Sequence, residues 1–149
     1  MSERRAPRLG TLRLGALRLA GDTGELSRLR RSVAAWASSC ELGDVAARHL
    51  VQAADEAATN AIEHGMADRA HGRVVVEARW GPDGLTVVVR YRGPRFDPTA
   101  APALSQNEAL RTRAKHGYGL LLIRRLVAHV GYAYRRGVNE VRLTAADQK

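Results

Sequence analysis

Apolar residues recur every three to four positions in the first part of the chain, which is the spacing of one face of an α-helix. Residues 23–38 show this pattern, and the hydroxyl of Thr23 can cap the first turn. The apolar positions are Leu26, Leu29, Val33 and Trp36. The sequence therefore predicts an amphipathic helix over 23–38.

A second helical pattern follows Gly43, where Asp44 can act as the cap, and it extends to about Glu63. Gly65 comes directly afterwards and is expected to end the helix. Its apolar stripe is mostly alanine and consists of Ala47, Leu50, Ala54, Ala58 and Ala61. Such small side chains favour close packing of this helix against a sheet.

The period then changes to two, which is typical of β-strands with one buried face. Val74, Val76, Ala78 and Trp80 share one side of the first strand, and Glu77 and Arg79 lie on the other. Residues 81–84 form a turn of glycine, proline and aspartate. The returning strand places Leu85, Val87, Val89 and Tyr91 on one face. A β-hairpin with a buried face is predicted here.

The N-terminal segment 11–20 also alternates, but its phase slips at Gly15 and Ala16. A bulge or a break between two short strands would produce this slip, and we predict an edge strand. Residues 98–116 contain two prolines and little periodicity, which favours a mobile lid.

An apolar run over 120–130 predicts another helix, and 132–134 with 141–145 predict a closing hairpin across the turn 136–137. The order strand, two helices, hairpin, loop, helix, hairpin indicates an α+β two-layer sandwich, with helices on one face of a mostly antiparallel sheet. We expect a basic tail over 1–10 and a single domain over 11–146.

Charge and composition narrow the function classes. The formal net charge is +9 and comes almost wholly from arginine, which favours an acidic partner. Direct nucleic-acid binding is disfavoured because the arginines are scattered along the sequence and aromatic residues are few. The lone Cys40 cannot form an internal disulfide, and no apolar run approaches the roughly 18 residues of a membrane span. We expect a cytoplasmic protein without membrane contact.

The stretch 55–65 carries candidate chemistry on the second helix. Glu56, Asn60 and His64 are spaced at i, i+4 and i+8, so a carboxylate, an amide and an imidazole share one stripe. Taken alone, Glu56 and Asn60, together with Glu63, are more typical of the solvated face opposite the alanine stripe.

A glycine loop precedes the predicted helix at 120. Gly117 and Gly119 would let backbone N–H groups approach a phosphate, although two glycines are also typical of an ordinary helix-capping turn. Lys115 and His116 lie beside this loop and could add charge-assisted contacts. Arg111 and Arg113 could contribute from the lid or could simply be solvated.

With these motifs, the chain from about residue 17 to 145 resembles the anti-sigma-factor serine kinases. These kinases are a small bacterial branch of the Bergerat-fold ATPases, and the ATP-binding domains of histidine kinases, gyrases and chaperones are other branches. The family's N box is matched by Glu56, Asn60, His64 and Gly65. The resemblance implies that Asn60 binds Mg²⁺ and that Glu56 positions or deprotonates the hydroxyl of a substrate serine.

The family's second glycine box is matched by Gly117, Tyr118, Gly119 and Leu120, and Lys115 would lie beside the triphosphate. The resemblance therefore implies ATP and Mg²⁺ as cofactors. It also implies a sigma factor and an antagonist with a STAS-like fold as partners, and a homodimer.

The chain departs from the family at the first glycine box, Asp-x-Gly-x-Gly, whose aspartate accepts a hydrogen bond from adenine. Tyr91, Gly93 and Arg95 occupy these positions, so only the middle glycine is kept. Losing a buried acceptor costs about one to three kcal/mol before any steric clash. Three hypotheses follow: an ATP-dependent serine kinase that sequesters a sigma factor, a nucleotide-poor or nucleotide-free protein-binding module on the same fold, and a basic nucleic-acid-associated protein.

Overall fold

The computed structural model describes residues 12–20, 23–65, 73–99 and 123–146. Within these ranges the elements are β1 (Leu12–Ala20), α1 (Leu26–Ser39), α2 (Asp44–His64), β2 (Arg73–Gly81), β3 (Gly84–Arg92), β4 (His129–Arg135) and β5 (Val138–Thr144).

The five strands form one sheet in the order β1-β2-β3-β5-β4, and every neighbouring pair is antiparallel. Strand β3 is central, and β1 and β4 are the edges. Both helices pack on the same face of the sheet, which we call the core face. The predicted α+β sandwich of helices on an antiparallel sheet is confirmed.

The core face is built from alternate residues of the strands and the small residues of α2. Strand β3 contributes Leu85, Val87, Val89 and Tyr91, all buried as the alternation predicts. Helix α2 contributes buried alanines, including Ala54, Ala58 and Ala61. Because alanine is short, the backbone of α2 can approach the centre of the sheet closely, and this places Asn60 near β3.

The edge strand and both hairpins agree with the sequence patterns. The pairing of β1 with β2 shifts register between Arg13 and Gly15, so the predicted irregularity is a bulge within one edge strand. The final hairpin turns at Arg136 and Gly137, whose φ angles are 54° and 80°. Two positive φ angles are what a tight turn between right-handed twisted strands requires.

Three predicted element boundaries are wrong. A 3₁₀ turn occupies Thr23–Glu25 and α1 begins only at Leu26, since helices often start with such a turn. Asp44 is the first residue of α2 rather than its cap, where its charge still favours the helix N-terminus.

The predicted helix over 120–130 is also too long. Residues 123–126 are helical, but β4 has begun by His129, which pairs with Thr144. The apolar run was compatible with either structure, and pairing with β5 decides the last positions.

No helix in the described ranges is long and apolar enough to cross a membrane.

Candidate functional site

Asn60 is the residue of the helical stripe that the fold brings to a pocket. It is only 6% exposed, although it is polar, and it lines a small space between α2 and β3. No hydrogen bond to its side chain is found among the described residues. Glu56 lies one turn earlier on α2, is half-buried and does not line this space. An uncommitted amide oxygen at Asn60 is suited to a hard cation such as Mg²⁺ or to a polar ligand group.

Tyr91 occupies the other side of the same space. The described lining residues are Ala57, Asn60, Tyr91, Phe96, Pro98, Ile123 and Val141. The cavity volume is about 10 Å³. That volume is close to the minimum for one water, whereas small-molecule sites usually measure about 300 to 1,000 Å³. The space that the described residues enclose beside Tyr91 is therefore too small for adenine.

The phenol of Tyr91 does not replace the chemistry of an aspartate. Tyr91 is 4% exposed, and burial raises its pKa, with a further contribution from Tyr132. The side chain is therefore neutral at physiological pH. It fills the space with an aromatic ring and offers no carboxylate to an adenine amino group.

Gly65, which the resemblance matches to the N box, lies against Gly93, which it matches to the first glycine box. A Cβ atom added to Gly93 would be 3.0 Å from Cα of Gly65 and 3.1 Å from the carbonyl oxygen of His64. A Cβ atom on Gly65 would be 2.6 Å from the carbonyl oxygen of Ala61. Both glycines are thus required where the end of α2 crosses the end of β3, whether or not a nucleotide binds.

Asn139 organises the segment after β3, and the sequence analysis missed it. It is 0% exposed. Its amide nitrogen donates to the carbonyl of Pro94 at 2.9 Å, and its oxygen accepts from the backbone N–H of Phe96 at 3.0 Å. The hydroxyl of Tyr132 also donates to this oxygen. An asparagine among apolar strand positions was the available signal, because a buried amide needs partners.

The segment after β3 also contacts two tyrosines of β4. Tyr134 donates from its hydroxyl to the carbonyl of Gly93 at 3.0 Å. The guanidinium of Arg95 lies 5.5 Å from the ring centre of Tyr132 and 5.8 Å from that of Tyr134, outside the cavity. Arg95 therefore does not line the pocket, whereas Tyr91 does.

His64 contacts this segment too. Its ring stacks on Phe96 with centroids 4.2 Å apart and an angle of 17° between the planes. This contact joins the end of α2 to the residues after β3. The predicted role of His64 in cofactor binding remains a prediction, as does the role of Glu56.

The second glycine box lies outside the described residues. That part of the chain contains Lys115, Gly117, Tyr118, Gly119 and Leu120, and also the predicted lid except for Pro98 and Thr99. In the described ranges, no group of three or more histidine, cysteine or acidic side chains could hold a metal ion. The predicted Mg²⁺ ligand, Asn60, does lie within the described residues.

Comparisons with known proteins identify the family of this chain. A comparison with curated proteins gives no significant match. A crystal structure of the RsbU and RsbW domains of Rv1364c from Mycobacterium tuberculosis matches with a TM-score of 0.61 and 20% identity, covering 98% of this chain and 35% of that one. The chain thus spans about a third of that structure's length, and the likeness shows a shared fold. The family model described as histidine kinase-like ATPase domain matches residues 19–145. Since this match covers most of the chain, the protein belongs to the histidine kinase-like ATPase domain family, as the resemblance predicted.

Proposed function

We propose that this protein is an anti-sigma-factor-like regulator that acts by binding partner proteins, and that Tyr91 restricts its ATP site. The expected partners are a sigma factor and a STAS-like antagonist. The single observation that carries the restricted site is the cavity of about 10 Å³ between Asn60 and Tyr91. The anti-sigma role is supported by the family and by the shared fold with the RsbW-containing structure.

The physical basis of the restriction is the volume and chemistry of Tyr91. The family implies an ATP site, usually with Mg²⁺, and adenine would need both space and an acceptor at this position. A buried neutral phenol supplies no space in the present arrangement, and it offers an uncharged hydroxyl in place of a carboxylate acceptor. Weak nucleotide binding would leave partner binding as the main activity.

A second candidate function is the ATP-dependent serine kinase. It is supported by Asn60, whose buried amide faces the cavity without a hydrogen bond from the described residues. If ATP binds with the Tyr91 ring displaced, Asn60 would hold Mg²⁺, and Glu56 is the expected group near the substrate hydroxyl. Mg²⁺ would then neutralise charge on the phosphates.

Calorimetric titration with a non-hydrolysable ATP analogue and Mg²⁺ separates these candidates. For the restricted site we expect no saturable binding at analogue concentrations below about 1 mM, which corresponds to a binding free energy weaker than about −4 kcal/mol. Micromolar binding that Asn60→Ala abolishes would instead support the kinase.

The anti-sigma role needs its own test. Purified sigma factors from the source organism should be run with the protein on size-exclusion chromatography, with and without ATP and Mg²⁺. Complex formation without nucleotide supports the proposal. If no sigma factor co-migrates under either condition, the anti-sigma role is wrong, even if the nucleotide result stands.

A further inference from the structure

The face of the sheet opposite α1 and α2, here called the outer face, concentrates arginine. Cross-strand register assigns seven arginines but only two acidic residues to the outer face among the described side chains. The arginines are Arg13, Arg18, Arg79, Arg90, Arg92, Arg135 and Arg142, and the acids are Glu77 and Glu140. The described side chains of the outer face therefore carry an excess of five positive charges.

The helical layer on the opposite side carries no net charge among its described residues. Residues 23–65 and the helical residues 123–126 together contain six arginines and six acidic residues. The positive charge is thus separated to one side of the fold rather than spread evenly. Such separation creates a directed field that attracts an acidic partner to the outer face.

Two carboxylates fix the arginines at the centre of the outer face. Glu77 is 5% exposed and pairs with Arg90 at 2.8 Å, with Arg79 at 2.8 Å and with Arg13 at 3.6 Å. Arg90 also pairs with Glu140 at 3.0 Å. These contacts orient guanidinium groups across neighbouring strands, so less conformational entropy is lost when an external carboxylate binds.

Other arginines of the outer face are not neutralised. Arg18 on β1, Arg92 on β3 and Arg135 on β4 are exposed, and none pairs with a carboxylate within the described ranges. Arg18 and Arg135 lie on the two edge strands, so unneutralised charge is present at both sides of the central ion pairs.

We propose that the outer face binds a carboxylate-rich segment of a partner protein. Alternating arginine and glutamate contacts already occur here, and external carboxylates would extend them with the fork geometry that guanidinium groups favour. A single-stranded nucleic acid fits less well, because the described outer-face positions include no phenylalanine, tyrosine or tryptophan on which bases could stack. The outer face shares no residue with the cavity at Asn60, so the inference is independent of the proposed function.

The test uses fluorescence anisotropy of the full chain with a labelled peptide of about eight glutamates, which can cross five strands spaced about 4.8 Å apart. We compare the wild type with the double variant Arg18→Gln/Arg135→Gln. The control, Arg31→Gln/Arg48→Gln, removes the same charge from exposed positions of the helical layer. Because an exposed ion pair contributes modestly, we expect the outer-face variant to weaken binding about threefold to tenfold and the control less than about twofold.

Several outcomes would overturn the inference. Equal weakening by the two variants would mean that only net charge matters. Absence of peptide binding at low ionic strength would mean that the outer face does not recognise carboxylates. Tighter binding of an oligothymidine or a DNA duplex of matched charge would reassign the outer face to nucleic acid. Circular dichroism of both variants verifies that the substitutions leave the fold intact.

Discussion

Tyr91 stands where the family resemblance implies an adenine-binding aspartate. Its ring is on the core face of β3, as strand alternation predicts, and contributes to the same cavity as Asn60. Arg95 does not line this cavity, since its guanidinium lies over Tyr132 and Tyr134. Of the two residues that depart from the family's first glycine box, Tyr91 is therefore the one that lines the cavity.

Replacing Tyr91 with aspartate should strengthen binding of an ATP analogue. The shorter side chain opens space and supplies a carboxylate acceptor, and we expect a gain of about tenfold in affinity from calorimetric titration. Tyr91→Phe keeps the volume and is the matched control, for which no gain is expected. The double variant Tyr91→Asp/Arg95→Gly should bind no better than Tyr91→Asp alone. If neither aspartate variant gains affinity, obstruction by the ring does not limit binding.

The two buried asparagines should respond differently to truncation. Asn139→Ala removes partners from Pro94 and Phe96, and leaving buried polar groups unsatisfied costs about 1 to 3 kcal/mol. Asn60→Ala breaks no hydrogen bond of the described residues and should cost less than about 1 kcal/mol. Urea unfolding of both variants measures the difference. A loss for Asn60→Ala as large as that for Asn139→Ala would contradict a ligand-facing role for Asn60.

At the scale of elements, the charged residues of the outer face link four strands. Glu77 on β2 contacts Arg13 of β1 and Arg90 of β3, and Arg90 continues to Glu140 of β5. Burial by itself would raise the pKa of Glu77. The hydrogen bond from Arg90 and the charges of Arg79, Arg90 and Arg13 nevertheless hold this pKa below its ordinary value.

This depressed pKa predicts a pH dependence of stability. The unfolded state binds the Glu77 proton more readily, so the contribution is present above the unfolded pKa of about 4.3 and is lost as pH falls through the lower folded value. The wild type should therefore lose more free energy of unfolding between about pH 6 and pH 3 than Glu77→Gln does. Urea unfolding at both pH values measures this loss. The exposed Glu41→Gln serves as control, and an unchanged slope in Glu77→Gln would refute the assignment.

At the scale of the whole molecule, the sheet order divides the strands into protected and accessible ones. Strand β3 has neighbours on both sides and five buried side chains, whereas β1 and β4 each have one neighbour in the described sheet. Protection from solvent exchange should follow this order, because opening the centre requires disruption of most of the core.

Hydrogen exchange followed by NMR should find the slowest amides at Val87, Val88 and Val89. Among the strands, the fastest exchange is expected for amides of β1 that point away from β2 and for amides of β4 that point away from β5. If β1 is protected as strongly as β3, its free edge is covered in solution. A loss of this protection on dilution would then support the homodimer that the family resemblance implies.

The local pattern of residues determined most of the elements of this fold. Period-two alternation gave the hairpin of β2 and β3, and the phase slip gave the bulge in β1, because backbone geometry alternates side chains within a strand. Ends of elements were less predictable. The segment 120–130 is apolar enough for either structure, and its final residues form a strand because β5 pairs with them.

The sequence by itself determined the family, the candidate Asn60 and the inward phase of Tyr91, since these depend on motif spacing and local periodicity. Only the tertiary structure decided that the cavity at Asn60 is small, that Gly65 packs against Gly93, and that Asn139 holds residues 94–96. It also gathered arginines that are distant in sequence onto the outer face. These features depend on distances between separate elements, which strand register and packing set and which no local pattern records.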